Sequence, residues 1–165
     1  MLFTAFIPNF EFILFKKPSS VWYFKKASSL NFRTSDAFKI DQVSLCGVTA
    51  KPPHREIQKT ALGSTESVDW VYFENTLDAV SECKNSGYKI ISIEQAENSV
   101  KLNEFSVLPS DRIAIVLGNE VTGVAQEVID LSDNVIEIPQ FGTKHSLNVS
   151  VCAGILLWEF AKKHI

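Results

Sequence analysis

Short apolar runs alternate along the chain with segments whose apolar residues recur at helical spacing. "FEFILF" (10–15) reads as a strand. A polar, basic stretch comes next, through Ser20, and "VWYF" (21–24) fits strand or helix equally well. "RTSDAFKI" (33–40) has helical character and leads into a strand at "QVSLCGV" (42–48). "KPPHREIQKTALGS" (51–64) is a proline-opened loop and a short helix that Gly63 can end. "TLDAVSECKNSG" (76–87) places Leu77, Val80 and Cys83 at helical spacing, with Gly87 as a C-cap. "YKIISIE" (88–94) and "RIAIVLG" (112–118) read as buried strands. "AQEVIDLSD" (125–133) is a short helix and "NVIEIP" (134–139) a strand. "LNVSVCAGILLWEFAKKH" (147–164) is a long final helix, with Leu147, Val151, Ile155 and Trp158 on one face.

Strands alternating with helices imply an α/β fold, a mostly parallel sheet with helices on both faces. In such sheets ligands bind beyond the carboxyl ends of the strands. Two loops at those ends are dense in small and polar residues: "GNEVTG" (118–123) and "PQFGTKHSLN" (139–148).

Length and composition fit one globular domain, 1–165, with no separate RNA-binding domain. The net charge of −3 argues against a protein that holds nucleic acid by bulk charge. A local basic patch is still available in the first third, from Lys16, Lys17, Lys25, Lys26, Arg33, Lys39, Lys51, Arg55 and Lys59. Cys46, Cys83 and Cys152 show no CxxC spacing, and an odd count suits free thiols in a reducing cytoplasm. The apolar "MLFTAFIPNFEFILF" lacks a basic leader, is broken by Pro8 and Glu11, and is too short to span a bilayer, so no membrane is expected.

The chemistry of the two loops can be sketched from residue types. Gly118 permits close backbone approach to a ligand. Asn119 and Glu120 add an amide and a carboxylate. Pro139 stops a strand, and Gly142 permits a sharp turn. Ser146 is expected to cap the final helix, with Asn148 in its first turn. Apolar walls with backbone donors and a few polar side chains suit a flat ligand of mixed polarity. Each residue also has a plainer reading: Ser146 as a cap alone, Gly118 as a turn glycine, Glu120 as a solvated charge. "GNEVTG" is not a dinucleotide fingerprint. His145 has no partner at metal spacing, so no metal is expected. The adjacent His145 and Ser146 do not make a nucleophile elbow.

"IVLGNEVTGV" followed by "IEIPQFGTKHSLNVSVCAGILLWE" resembles the second and third motifs of the SpoU (TrmH-type) RNA ribose methyltransferases, of the SPOUT superfamily. "FRTSDAF" (32–38) is similar to the end of that family's first motif, and the likeness runs from about Phe32 to the C-terminus. The resemblance implies a C-terminal deep trefoil knot and a homodimer with its site near the interface. It implies S-adenosylmethionine (SAM) as methyl donor, held mainly through backbone at Leu117, Gly118, Ile138, Pro139, Ser146 and Leu147. It implies an active site of Arg33, Asn119, Glu120, Ser146 and Asn148, acting on a ribose 2'-hydroxyl of tRNA or rRNA. Residues 1–31 depart from the family: Ala27 and Ser29 stand where the first motif has Asn and Gly, and Val121 replaces a motif-two Gly. A diverged segment and a shifted reading frame upstream of Phe32 both account for this. Two alternatives stay open: a family member that binds SAM or RNA but is catalytically weakened, and an unrelated α/β enzyme with coincidental loops.

Overall fold

A strand buried on both faces must be apolar at successive positions, and Ile113–Leu117 is such a run, each residue at most 2% exposed. It forms β6 (Ile113–Gly118), near the middle of a seven-stranded sheet. The computed structural model describes residues 11–14, 30–47, 49–108, 110–118, 122–143 and 147–162. Within them the other strands are β1 (Glu11–Leu14), β2 (Gln42–Cys46), β3 (Asp69–Phe73), β4 (Lys89–Ile93), β5 (Val100–Lys101) and β7 (Asn134–Glu137). The order across the sheet is β3-β2-β1-β6-β4-β7-β5. β1 is antiparallel to both its neighbours, and the other pairings are parallel. The ambiguous "VWYF" (21–24) lies outside the described residues.

The helices are α1 (Leu30–Ala37), α2 (Arg55–Ala61), α3 (Ser64–Ser67), α4 (Thr76–Asn85), α5 (Gln126–Leu131) and α6 (Val149–Ala161). They form two groups. α1 packs against α2, α3 and α6, whereas α4 packs against α5 and across β1, β2, β3 and β4. The α/β sheet with two helix layers is therefore as the alternation of patterns predicts. β3 is a departure: "DWVYF" is an edge strand with Asp69 and Trp70 exposed, and nothing about it alternates cleanly.

Local chemistry sets the helix ends. Asn75 caps α4, its side-chain oxygen accepting from Leu77 N at 2.9 Å. The C-cap is Ser86 rather than Gly87, and Gly87 comes next at φ 77. There it lets Tyr88 N return to Cys83 O at 3.0 Å. α2 ends just before Leu62 and Gly63, at φ 50 and 88. Asn148, not Ser146, is the N-cap of α6: its side chain accepts from Ser150 N at 2.9 Å.

α6 also corrects the expected face. Its buried residues are Val149, Ala153, Leu156, Leu157 and Phe160, which pack into the core, Phe160 edge-on to Phe105. Val151, Ile155 and Trp158 are 50%, 37% and 55% exposed. Every position on this helix from Ala153 to Trp158 except Gly154 carries an apolar side chain that could have turned inward. Two stripes of helical period compete, and the bulkier Leu156–Phe160 pair occupies the core.

The two stripes should differ in stability. Leu156→Ala should cost about 2–5 kcal/mol, and Val151→Ala, on the exposed stripe, about 0.5 kcal/mol or less. Urea unfolding of the two variants in parallel measures it; equal losses would restore the opposite face.

Candidate functional site

The parallel register brings three carboxyl ends level. Ile93 of β4 pairs with Leu117 of β6 on one side and with Ile136 of β7 on the other. Gly118, Glu94 and the residues after Glu137 therefore emerge side by side. This is the sheet edge where an α/β fold places its ligands.

The chain after Gly118 folds back on that edge. A Cβ on Gly118 would overlap the backbone of Gly123 and Val124. Gly123 has φ 68, and a Cβ there would strike the Glu94 carboxylate. Oε2 of Glu94 accepts from Val124 N at 2.8 Å, and Oε1 from Gln95 N at 3.0 Å. The expectation for Gly118 is corrected here: the room it leaves is filled by the protein's own backbone, not held open for a ligand. Glu94 is a residue that sequence reasoning misses. Its only signal is an acid placed directly after the buried strand "IISI".

The start of α6 approaches the same edge. Burial pushes the Cys152 thiol above its ordinary value, and the Glu94 carboxylate nearby adds to the rise. The Cys152 thiol lies 3.9 Å from Leu147 O. A thiol so placed stays protonated near neutral pH and is no nucleophile. Cys83 is pushed up further by burial on α4, with Cys46 beside it; all three cysteines are free.

The expected site residues divide by their place on this edge. Leu117 is buried, and only its backbone can serve a ligand. Ile138, Pro139 and Leu147 are partly buried beyond the strand ends. The N–H groups of Ile138 and Leu147 have no acceptor among the described residues. Half-buried backbone groups left unpaired are what a ligand held through main chain requires, so this edge fits such a ligand. Asn148 is exposed, and its cap bond uses the side-chain oxygen, leaving the NH2 group as a donor. Arg33 is exposed on α1, which packs against α6. Asn119, Glu120 and Ser146 lie outside the described residues, as do Lys16, Lys17, Lys25 and Lys26 of the basic patch. Among the described residues no group of three or more His, Cys, Asp or Glu could hold a metal ion. No described helix is long and apolar enough to cross a membrane.

Comparison with known proteins yields a coherent set. The profile of the SpoU rRNA Methylase family matches residues 29–158. A tRNA (guanosine(18)-2'-O)-methyltransferase of Aquifex aeolicus is 36% identical over 112 residues, covering 64% of this chain and 52% of the relative. The Escherichia coli enzyme of the same name is 32% identical over 127 residues, covering 77% and 54%. The chain thus spans about half the length of these curated relatives. Among solved structures, the Aquifex aeolicus TrmH/SpoU tRNA modifying enzyme superposes with a TM-score of 0.73 at 28% identity, covering 88% of this chain and 72% of that one. An AdoMet-bound rRNA methyltransferase from Sinorhizobium meliloti gives 0.75 at 26% identity, covering 83% and 51%.

The backbone contact at the edge predicts that Gly118→Ala and Gly123→Ala disorder the 118–124 turn even without ligand. Glu94→Ala should cost about 1–3 kcal/mol by orphaning Val124 N, while Glu94→Gln, which keeps the acceptor, should cost less. Amide hydrogen exchange at Val124 reads out all four variants.

Proposed function

The chain belongs to the SpoU rRNA methylase family, and from that premise we propose that it methylates a ribose 2'-hydroxyl of tRNA or rRNA, with SAM as donor. One observation carries the reading. Gly118 and Ile138, two of the SAM positions implied by the family motifs, stand on neighbouring strand ends, and Leu147 leads into the helix beside them. The names of the relatives, tRNA guanosine-2'-O-methyltransferases and an AdoMet-bound rRNA methyltransferase, agree with both donor and acceptor. We further take residues 118–147 to thread the trefoil knot of the SPOUT fold, a rare exception to unknotted chains. The protein is read as cytoplasmic.

On this reading Leu117, Gly118, Ile138, Pro139, Ser146 and Leu147 hold SAM chiefly through main-chain groups. SAM supplies a methyl group on a sulfonium, whose transfer to oxygen discharges the cation. The protein's task is then positioning and exclusion of water. Asn148 offers its free NH2 to the ribose. Asn119 orients the loop. Arg33 meets the ribose or its phosphate: a guanidinium stays protonated, so it serves as a donor rather than a base. Glu120 and Ser146 remain to draw off the hydroxyl proton.

A second reading has its own observation. Ala27 and Ser29 stand where the first motif carries Asn and Gly. A missing amide contact there is worth about 1–3 kcal/mol, or roughly one to two orders of magnitude in rate. The chain then binds SAM and RNA but transfers slowly.

Labelled SAM and bulk RNA, followed by nucleoside mass spectrometry, should yield 2'-O-methylated ribose. Arg33→Ala should abolish the signal, and Ala27→Asn with Ser29→Gly should raise it by roughly tenfold or more. A methyl group on a base, or a rate indifferent to Arg33, refutes the assignment. SAM binding without transfer in calorimetry establishes the second reading.

The same proposal includes a homodimer. Its apolar face is the exposed stripe Val151, Ile155 and Trp158, rather than Leu156, Leu157 and Phe160, which the core consumes. Light scattering at micromolar concentration should give twice the chain mass, and Trp158→Glu should halve it.

A further inference from the structure

A cavity of about 430 Å³ lies apart from the Gly118–Ile138–Leu147 edge, at the carboxyl ends of β2 and β3. Its volume is within the roughly 300–1,000 Å³ of small-molecule sites. Gly47, Glu74, Asn75 and Thr76 line it from the sheet side, and Glu127 and Val128 from α5.

The polar groups here are poised but unused. Thr76 is only 7% exposed, and its hydroxyl has no hydrogen-bond partner among the described residues. It opens α4 without capping it, because Asn75 takes that role with its side-chain oxygen. The Asn75 NH2 group is thereby left as a donor. Neither Glu74 nor Glu127 has an ion pair or hydrogen bond among the described residues. A buried hydroxyl without a partner costs stability unless a ligand completes it. At the rim, the Tyr72 hydroxyl donates to Gly47 O at 2.8 Å, and the Lys51 ammonium stands 3.9 Å from the centre of the Tyr72 ring.

This donor set selects its ligand. Two unpaired carboxylates repel a phosphate inside the cavity and call for N–H donors. The Asn75 amide and the Thr76 hydroxyl call for acceptors. The ligand must therefore be flat and uncharged, with adjacent donors on one edge and acceptors on another. Of the RNA bases, guanine alone has a ring N–H beside an amino group, matching the two oxygens of one carboxylate, with O6 and N7 as acceptors elsewhere. Adenine and cytosine have an amino group with no ring N–H beside it. Uracil flanks its N–H with carbonyls that a carboxylate repels. Lys51 at the rim suits the attached phosphate. Sequence-specific RNA recognition works in this way, on splayed bases read along their edges.

We propose that the cavity formed by Glu74, Asn75, Thr76 and Glu127 binds a guanine base of the substrate RNA. The proposal rests on the reading of the chain as an RNA methyltransferase, and it adds a specificity site to it.

The test uses the whole chain, isotope-labelled for amide NMR and titrated with GMP, IMP, AMP, CMP and UMP, with SAM and RNA absent. GMP should shift the amides of Thr76, Leu77 and Val128. IMP, which lacks the amino group, should bind about tenfold more weakly, as expected for one lost hydrogen bond to a charged group. Thr76→Val and the pair Glu74→Gln with Glu127→Gln should weaken GMP several-fold at an unchanged urea midpoint. Equal responses to all five nucleotides, no response, or shifts reproduced by magnesium chloride alone overturn the proposal. Shifts confined to Gly118, Ile138 and Leu147 overturn it too. Methyl transfer separates the two readings. GMP bound in the cavity of a protein that methylates no RNA leaves the site standing and removes the enzyme assignment. Active protein whose KM for RNA ignores Thr76→Val removes the site and keeps the enzyme.

Discussion

The turn after β6 depends on a contact in which no side chain fits. Gly118 and the Gly123–Val124 backbone approach so closely that a methyl group on either glycine would collide with the other strand of the turn or with Glu94. Glu94 closes the arrangement by accepting from Val124 N. Drawing a carboxylate out of water against main chain is costly unless its oxygens are used, and here both accept a backbone N–H. The turn is thereby held level with the ends of β4 and β7. Without it, β6 would still be buried, but the chain beyond Gly118 would have no fixed place on the carboxyl edge.

Much of this frame is legible in the residues themselves. β4 and β6 are runs of buried aliphatic side chains, and a strand covered on both faces cannot be written otherwise in soluble sequence. α4 announces itself by Asn75, by Ala79, Val80 and Cys83 on one side, and by Gly87 at its end. The carboxyl-edge loops can be placed from the alternation of strand and helix. The family can be read because its third motif, "IPQFGTKHSLNVSV", combines a strand stop, a turn glycine and a helix cap in a fixed order.

Other features have no local signature. The antiparallel direction of β1 is a property of pairing, and "FEFILF" reads the same in either direction. β3 is an edge strand, so only part of it is buried, and its Trp70 and Asp69 obscure the pattern. On α6 the apolar residues surround most of the helix, which leaves periodicity with two answers. Volume decides between them: Leu156, Leu157 and Phe160 fill the core beside Phe105, and Trp158 is left outside. The cap goes to Asn148 because its extended backbone, φ −58 and ψ 137, directly precedes the first helical residue. The carboxylate at 94 is invisible in sequence because its role is to bond a backbone N–H thirty residues away.

These distinctions bear on which half of the proposed reaction is secure in this chain. A donor site built from main chain needs few particular side chains; it needs strand ends in register and turns that bring N–H groups to them. Those requirements sit in β4, β6, β7 and the start of α6, where the motifs are intact apart from Val121. An acceptor site is different, because a ribose hydroxyl must be aligned by named polar groups. Those groups are Arg33, standing exposed on α1, and the positions now occupied by Ala27 and Ser29. Loss of one polar side chain removes a specific contact, whereas backbone donors survive any substitution that keeps the fold. Divergence confined to residues 1–31 therefore weakens transfer before it weakens donor binding. The two activities can separate in this protein, with affinity for SAM kept by the knot-forming half and rate set by the segment that departs from the family.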